Sequence, residues 1–436
     1  MTIFKFAYRM WPNLIRAITN NIQEHRVKGR CSYTIEQAVF CGLMVFVLRY
    51  RSLRSFCFEN KNNPRSLKNF QKWITISDVP SDDELRYILQ CVSTRSLNNL
   101  LKEYHQRIER NKILYQQKIF GKYESISVDG TGQLSSSKLK GEKYLTKKNT
   151  TGGTTYYHGQ LLASLTNTSA NYALPLQFEP IEKNESSTEY SKNDCELNAG
   201  KRLFENLKKQ FPKRSFLILA DNLFGVDPIV NQILNFGWSF VITAKPERNK
   251  ELFLMYDYIH EKQQNYEYKN SDGVICKFKW SNKLPLKYYP KNENEILVNL
   301  LFYEEINSEG EVIFCSSWMT NLEITSDNVK KLAQVGRARF VIENRNFNEQ
   351  KKLGFGTEHN FGHRENLPNV FFGLAQVAQL ITEMFRFWRT GKAEINKIGS
   401  KRRYFERLAV QISSYEILDS GNGFPIFYLK FDFDSA

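Results

Sequence analysis

The sequence predicts an α/β protein: a core of strands and helices, preceded by a helical region and interrupted by a mostly β stretch. Three features carry this. Alternating strand patterns follow one another at 124–129, 154–165 and 173–180. The short, continuous apolar run 216–220 and a second buried-strand pattern, 238–243, flank a helical pattern, as buried parallel strands do. Before residue 121, the apolar positions instead recur at helical spacing.

In the first 120 residues, Thr34 and Gln37 have the spacing of a capping box, ahead of Ala38, Val39, Phe40, Leu43 and Met44. A second helix is expected through Leu53, Phe56 and Phe58. A third follows Ser81 and Glu84, again at capping-box spacing, with Leu85, Ile88, Leu89 and Val92 on one face. Arg26, Lys28, Arg30, Arg49, Arg51, Arg54, Arg65, Lys68 and Lys72 punctuate this region. Helices with interspersed cations suit DNA-end binding; a solvated helical cap is the plainer alternative.

From 121, the order is three strands, a helix (194–211), a strand (216–220), a helix (226–236) and a strand (238–243). This is the order of a ribonuclease-H-like catalytic core, assigned to 121–243 and 325–390. Asp129 is expected to end the first strand and Asp221 the fourth, at the carboxyl edge where open α/β sheets bind ligands. Residues 244–324 form the β-rich insertion, with Tyr, Phe and Val alternating with charge and with turns at 271–273 and 307–310. Asp327 is then expected to cap one long helix through Val329, Leu332, Val335, Phe340 and Phe347. On it Arg339 and Glu343, four apart, share a face, where a local ion pair is the simpler account. A closing helix spans 366–389, and 391–436 is assigned as a basic tail containing Lys401, Arg402 and Arg403.

Composition narrows the partners. Lys plus Arg number 61 and Asp plus Glu 46, so 61 − 46 gives a net charge of +15, which favours phosphate backbones. No apolar run approaches the roughly 18 residues of a membrane span, and no secretory leader is evident, so a cytoplasmic protein with no membrane association is expected. The seven cysteines include no C-x-x-C pair, which suggests reduced, mostly buried thiols. His359 and His363 have a spacing that can bind zinc on a helix, but Gly354, Gly356 and Gly362 favour a loop and no third ligand is apparent. The stretch 135–149 carries Lys138, Lys140, Lys143, Lys147 and Lys148, which suits contact with a DNA backbone.

Two carboxylates at strand ends and a third on a later helix can converge on a pair of divalent cations. The order and flanks of Asp129, Asp221 and Glu343 resemble those of the DDE transposases of bacterial insertion sequences, over roughly residues 120 to 385. The branch suggested has a Tyr-Arg-Glu-Lys signature on a helix and a β insertion before the Glu. Arg339 stands four residues before Glu343, as that signature requires. Gln350 occupies the place of its Lys, with Lys351 and Lys352 next to it, and Gly336 the place of its Tyr. A Glu-His-Asn-Phe-Gly-His stretch like 358–363 also occurs in similar transposases. Some of those have cysteines in the loop matching 135–149, which this chain lacks.

The resemblance implies a transposase that cuts element ends and transfers strands. Asp129, Asp221 and Glu343 would bind Mg²⁺, with Mn²⁺ able to substitute. Arg339, Lys351 and Lys140 would contact DNA, and Trp280 or Trp318 would stack on an extruded base. The partners implied are double-stranded DNA, both terminal inverted repeats and target, and a second copy of the chain in a homodimer assembled on that DNA. A structure-directed nuclease without strand transfer and a non-catalytic DNA-binding descendant remain the alternatives.

Overall fold

Strand β1 (Glu124–Ser136) is an interior strand of a ten-stranded mixed sheet. The computed structural model describes residues 14–27, 29–110, 118–139, 143–148, 150, 152–167, 171–182, 195–259, 261, 263–287, 295–387, 389–419 and 425–427. On one side β1 pairs in parallel with β5 (Phe216–Ala220), which pairs in parallel with β6 (Ser239–Thr243). All of β5 is buried, which is why it reads as an unbroken apolar run. On the other side β1 pairs antiparallel with β3 (Thr154–Asn167), and β2 (Leu145–Lys148) and β4 (Tyr172–Ile181) each pair antiparallel with β3.

The inserted stretch continues this sheet. Strands β7 (Gln264–Lys269), β8 (Ile275–Pro285), β9 (Leu297–Ile306) and β10 (Val312–Thr320) form an antiparallel meander, and β10 pairs antiparallel with β6. One face of the meander packs a second core, including Phe278, Trp280, Leu301 and Trp318, against helix α10 (Val329–Arg337).

The N-terminal helices are α1 (14–21), α2 (Ile35–Val47), α3 (Leu53–Lys61), α4 (Pro64–Ile74), α5 (Asp82–Leu89) and α6 (Thr94–Arg110). The Thr34–Gln37 capping box forms in both directions, and the Ser81 side chain caps α5. Two central helices, α2 and α6, pack on α13 (Leu367–Phe387), which is buried on nearly all sides. One continuous core therefore joins the N-terminal helices to the sheet. Between β4 and β6 lie α7 (Glu196–Gln210) and α8 (Asp227–Asn235), and α9 (Lys250–Tyr258) precedes the meander.

Several expectations need correction. Strand β1 runs seven residues past Asp129, because its second half pairs with β3 after the parallel ladder with β5 has ended. Asn328, not Asp327, is the N-cap of α10, without a side-chain cap. The long helix is broken after Arg337 and resumes as α11 (Phe340–Ile342), a π-helical turn (Glu343–Phe347) and α12 (Asn348–Lys352). The basic tail folds back as α14 (Arg389–Ile398) and α15 (Lys401–Ser414), with Tyr404, Phe405, Leu408 and Ile412 buried. Its Lys401 is not a solvated charge: the ammonium pairs with Glu349 and Glu383 inside the protein. Arg49 is buried too, its guanidinium 3.6 Å from the Phe355 ring centroid. Only Cys41, Cys57 and Cys276 of the seven free thiols are buried. Among the described residues, no helix is long and apolar enough to cross a membrane.

Candidate active site

The parallel register pairs Ser127 with Leu219; two residues further along, Asp129 comes level with Asp221. Side chains two apart on a strand share a face, so the register sets both carboxylates at one place on the sheet edge. Asp221 follows the last residue of β5, and its Oδ1 accepts the Leu223 N–H at 3.0 Å, holding the turn into α8. The Gly130 N–H donates to Asp129 Oδ1 at 2.9 Å.

Glu343 comes to the same edge from the other end of the chain. Arg339 Nη1 lies 3.3 Å from Asp129 Oδ2 and 2.8 Å from Glu343 Oε1. The i,i+4 pair expected as the simpler account is thus present and extends to the strand carboxylate. Burial pushes the Asp129 carboxyl up to about 7; Arg339 opposes this, while Glu343 and Asp221 reinforce it. Three acids therefore share this edge with the one guanidinium of Arg339.

Buried polar side chains fix the segment that carries Glu343. Ser127 Oγ on β1 is 3.3 Å from the Ala338 carbonyl, and Asn346 Nδ2 donates to Ser164 Oγ on β3 at 2.9 Å. Gln350 Nε2 donates to Asn346 Oδ1 at 2.7 Å and to Gln376 Oε1 at 2.8 Å, and also meets Gln379, both glutamines being on α13. The Asn348 N–H donates to the Glu343 carbonyl, closing the wider π turn. The inserted residue of such a turn commonly marks a functional site.

A fourth carboxylate, missed in the sequence, lies at this edge. Glu196 opens α7, and a Cβ added at Gly130 would sit 2.6 Å from its Oε1. Burial raises the Glu196 carboxyl, and repulsion from Asp221 raises it further. The available signal was Gly130 itself, since glycine inside a strand often marks a close approach.

The remaining expected residues divide. Lys351 is half-buried in the last turn of α12, while Gln350, at the place of the signature Lys, is buried in the amide network. Lys140 lies outside the described residues. Trp280 and Trp318, at 1% and 2% exposure, belong to the second core. Buried against neighbouring side chains, neither presents a ring face to an extruded base, which corrects the stacking role expected of them. The Trp318 indole instead fills the space at Gly336, where a Cβ would lie 2.5 Å from Cε2; a side chain at the signature Tyr position has no room. His359 and His363 lie in a loop with Gly354 and Gly356 at positive φ; Asn360 is hydrogen-bonded to His363 at 3.2 Å.

Hard carboxylate oxygens in excess of positive charge suit Mg²⁺ or Mn²⁺ as donors. Among the described residues, no group of three or more His, Cys, Asp or Glu is drawn together closely enough to hold an ion, and Arg339 sits between two of the acids.

No family model matches this chain. No curated protein matches it either.

Proposed function

We propose that this chain is a DNA transposase of the Asp-Asp-Glu type, which cuts element ends and joins the freed strand to another phosphodiester. The observation that carries this is the approach of Asp129 on β1 and Asp221, just past the end of β5, beyond the paired stretch of the two strands, with Glu343 tied to Asp129 through Arg339. Leaving aside the short edge strand β2, the order β1–β3–β4–α7–β5–α8–β6, with β1, β5 and β6 parallel, supports a ribonuclease-H-like core. The net charge of +15 supports a nucleic-acid partner.

Asp129, Asp221 and Glu343 would hold Mg²⁺, or Mn²⁺ in its place, once Arg339 lets go of the two acids it bridges and turns to the DNA. Paired divalent cations in such a site lower the pKa of a bound water or hydroxyl and take up charge on the leaving oxygen. Arg339 and Lys351 provide cations for the phosphates on either side of the cut. In the first reaction a water oxygen bonds to phosphorus as the 3′ oxygen leaves, giving a 3′ hydroxyl and a 5′ phosphate. In the second, that hydroxyl replaces the water, so one phosphodiester is made for each one broken. No covalent link to the protein is required. The substrate is double-stranded DNA, as element end and as target, gripped by a homodimer, and the compartment is the cytoplasm.

The test is strand joining. Incubated with Mg²⁺, paired end fragments and a target plasmid, the protein should yield ends covalently joined to the plasmid. Cleaved ends without joined product would reduce it to a nuclease.

A further inference from the structure

A cleft of about 830 Å³ lies between α6 and α7, across the end of the edge strand β4. Its floor is polar. Asn98 is fully engaged: its Nδ2 donates to the Phe178 carbonyl at 2.9 Å and its Oδ1 accepts the Phe178 N–H at 3.0 Å, which fixes α6 to β4. Gln177 is different. It lines the cleft at 1% exposure, and its buried Oε1 has no hydrogen-bond partner. That oxygen is an acceptor sealed from solvent, so a phosphate oxygen does not satisfy it.

The charges lining the cleft point to a ligand of their own. Two acids line the cleft and both are already matched: Glu179 pairs with Arg202 at 2.7 Å, and Glu182 with Lys143 at 3.8 Å while accepting from Asn369 at 2.6 Å. Arg95 in the first turn of α6, Lys102 about two turns on, and Lys209 near the end of α7 line the same space and form no ion pair among the described residues. The amino end of a 17-residue helix adds partial positive charge beside Arg95. Three unmatched cations form a surface for a chain of phosphates.

The cleft is also in the right place. Gly130 pairs with Leu161 and Leu161 with Glu179, so the cleft floor is two strands from the candidate site on the same row, roughly 10 Å away at strand spacing. We infer that this cleft binds the phosphodiester backbone of the DNA flanking the scissile phosphate, with Arg95, Lys102 and Lys209 on phosphate oxygens. The inference rests on the phosphodiester-cleavage reading of the neighbouring site and adds a second, non-catalytic grip on the same substrate.

The experiment uses the full-length chain and a fluorescent duplex carrying the element end. Affinity is measured from low to moderate salt for the wild type, for the triple variant Arg95→Gln/Lys102→Gln/Lys209→Gln, and for the charge-keeping triple Arg95→Lys/Lys102→Arg/Lys209→Arg. Each phosphate that is no longer neutralised should lower the log–log salt slope by about 0.9. The expected result is a slope smaller by about 2 to 3 and binding at least tenfold weaker in the neutral triple, with the charge-keeping triple close to wild type. A photo-crosslinker at Asn99→Cys should capture the same duplex. An unchanged slope together with no crosslink overturns the inference, and so does equal loss in both triples. If the wild type cleaves but the cleft variants bind normally, the cleft inference alone fails. If the wild type neither binds nor cleaves DNA, the reading of the site fails with it.

Discussion

Arg339 reaches across 210 residues of chain to Asp129, its Nη1 3.3 Å from Oδ2, while the same nitrogen holds Glu343 at 2.8 Å. One guanidinium thus ties the helical acid to the strand acid. It also occupies the space between them, so the same residue both aligns the two carboxylates and competes with a cation for them.

Replacing Arg339 with Gln should destabilise the protein, because the facing carboxylates lose their counter-charge. A loss of roughly 1–3 kcal/mol is expected, as for a partly buried charged hydrogen bond. Millimolar Mg²⁺ should restore more melting temperature to this variant than to the wild type, since a ligand that binds only the folded state stabilises it. Equal Mg²⁺ effects on the two proteins would show that the acids do not share a cation.

Gln350→Leu should break the amide network under the π turn. Asn346, Gln376 and Gln379 would each lose a partner, at a cost of about 2–3 kcal/mol. Because the network holds the segment bearing Glu343, cleavage should fall by more than DNA binding. Urea unfolding and a binding assay measure the two effects separately.

Two glycines should respond differently to Ala. At Gly336 the new Cβ meets the fixed Trp318 indole at 2.5 Å, so stability should fall by roughly 1–3 kcal/mol. At Gly130 it meets the movable end of Glu196, so the melting temperature should barely change while cleavage falls. A large stability loss at Gly130 would show that Glu196 cannot swing aside.

Acid should destabilise the fold through His105. Burial lowers its pKa to about 3, helped by Arg214, and its Nε2–H donates to the Pro175 carbonyl at 2.7 Å. The folded ring stays neutral while the unfolded ring takes a proton near 6.5, so the unfolded state binds more protons between these values. Stability contributed by neutral His105 is present above about pH 6.5 and is lost as pH falls toward 3. His158, lowered to about 4 by burial, adds to the same trend. Denaturant midpoints from pH 7.5 to 5 should fall less steeply for His105→Gln.

The sequence displayed what local chemistry determines. Thr34–Gln37 marked the start of α2, the unbroken apolar β5 marked a buried parallel strand, and 307–310 marked the turn between β9 and β10. What it hid depends on distant partners. The length of β1 is set by pairing with β3 thirty residues on, and the joining of the insertion to the main sheet by β10 lying beside β6. The break around Ala338 is coupled to Ser127 on β1, and no periodicity announces a π turn. Arg339 and Glu343 were legible as a helical pair, but the reach to Asp129 was not. Trp280, flanked by Lys279 and Lys283, read as able to reach DNA and Trp318 rather as core; the packing of α10 against the meander buries both.

The most direct test takes duplexes containing the sequences that border the gene and compares the wild type with Asp129→Asn, Asp221→Asn and Glu343→Gln in Mg²⁺. The wild type should nick at the element boundary and leave a 3′ hydroxyl, while each variant should bind the duplex normally yet yield only background cleavage. Cleavage by any variant at the wild-type rate would contradict the assignment of that carboxylate, and no Mg²⁺-dependent cleavage by the wild type would contradict the account as a whole.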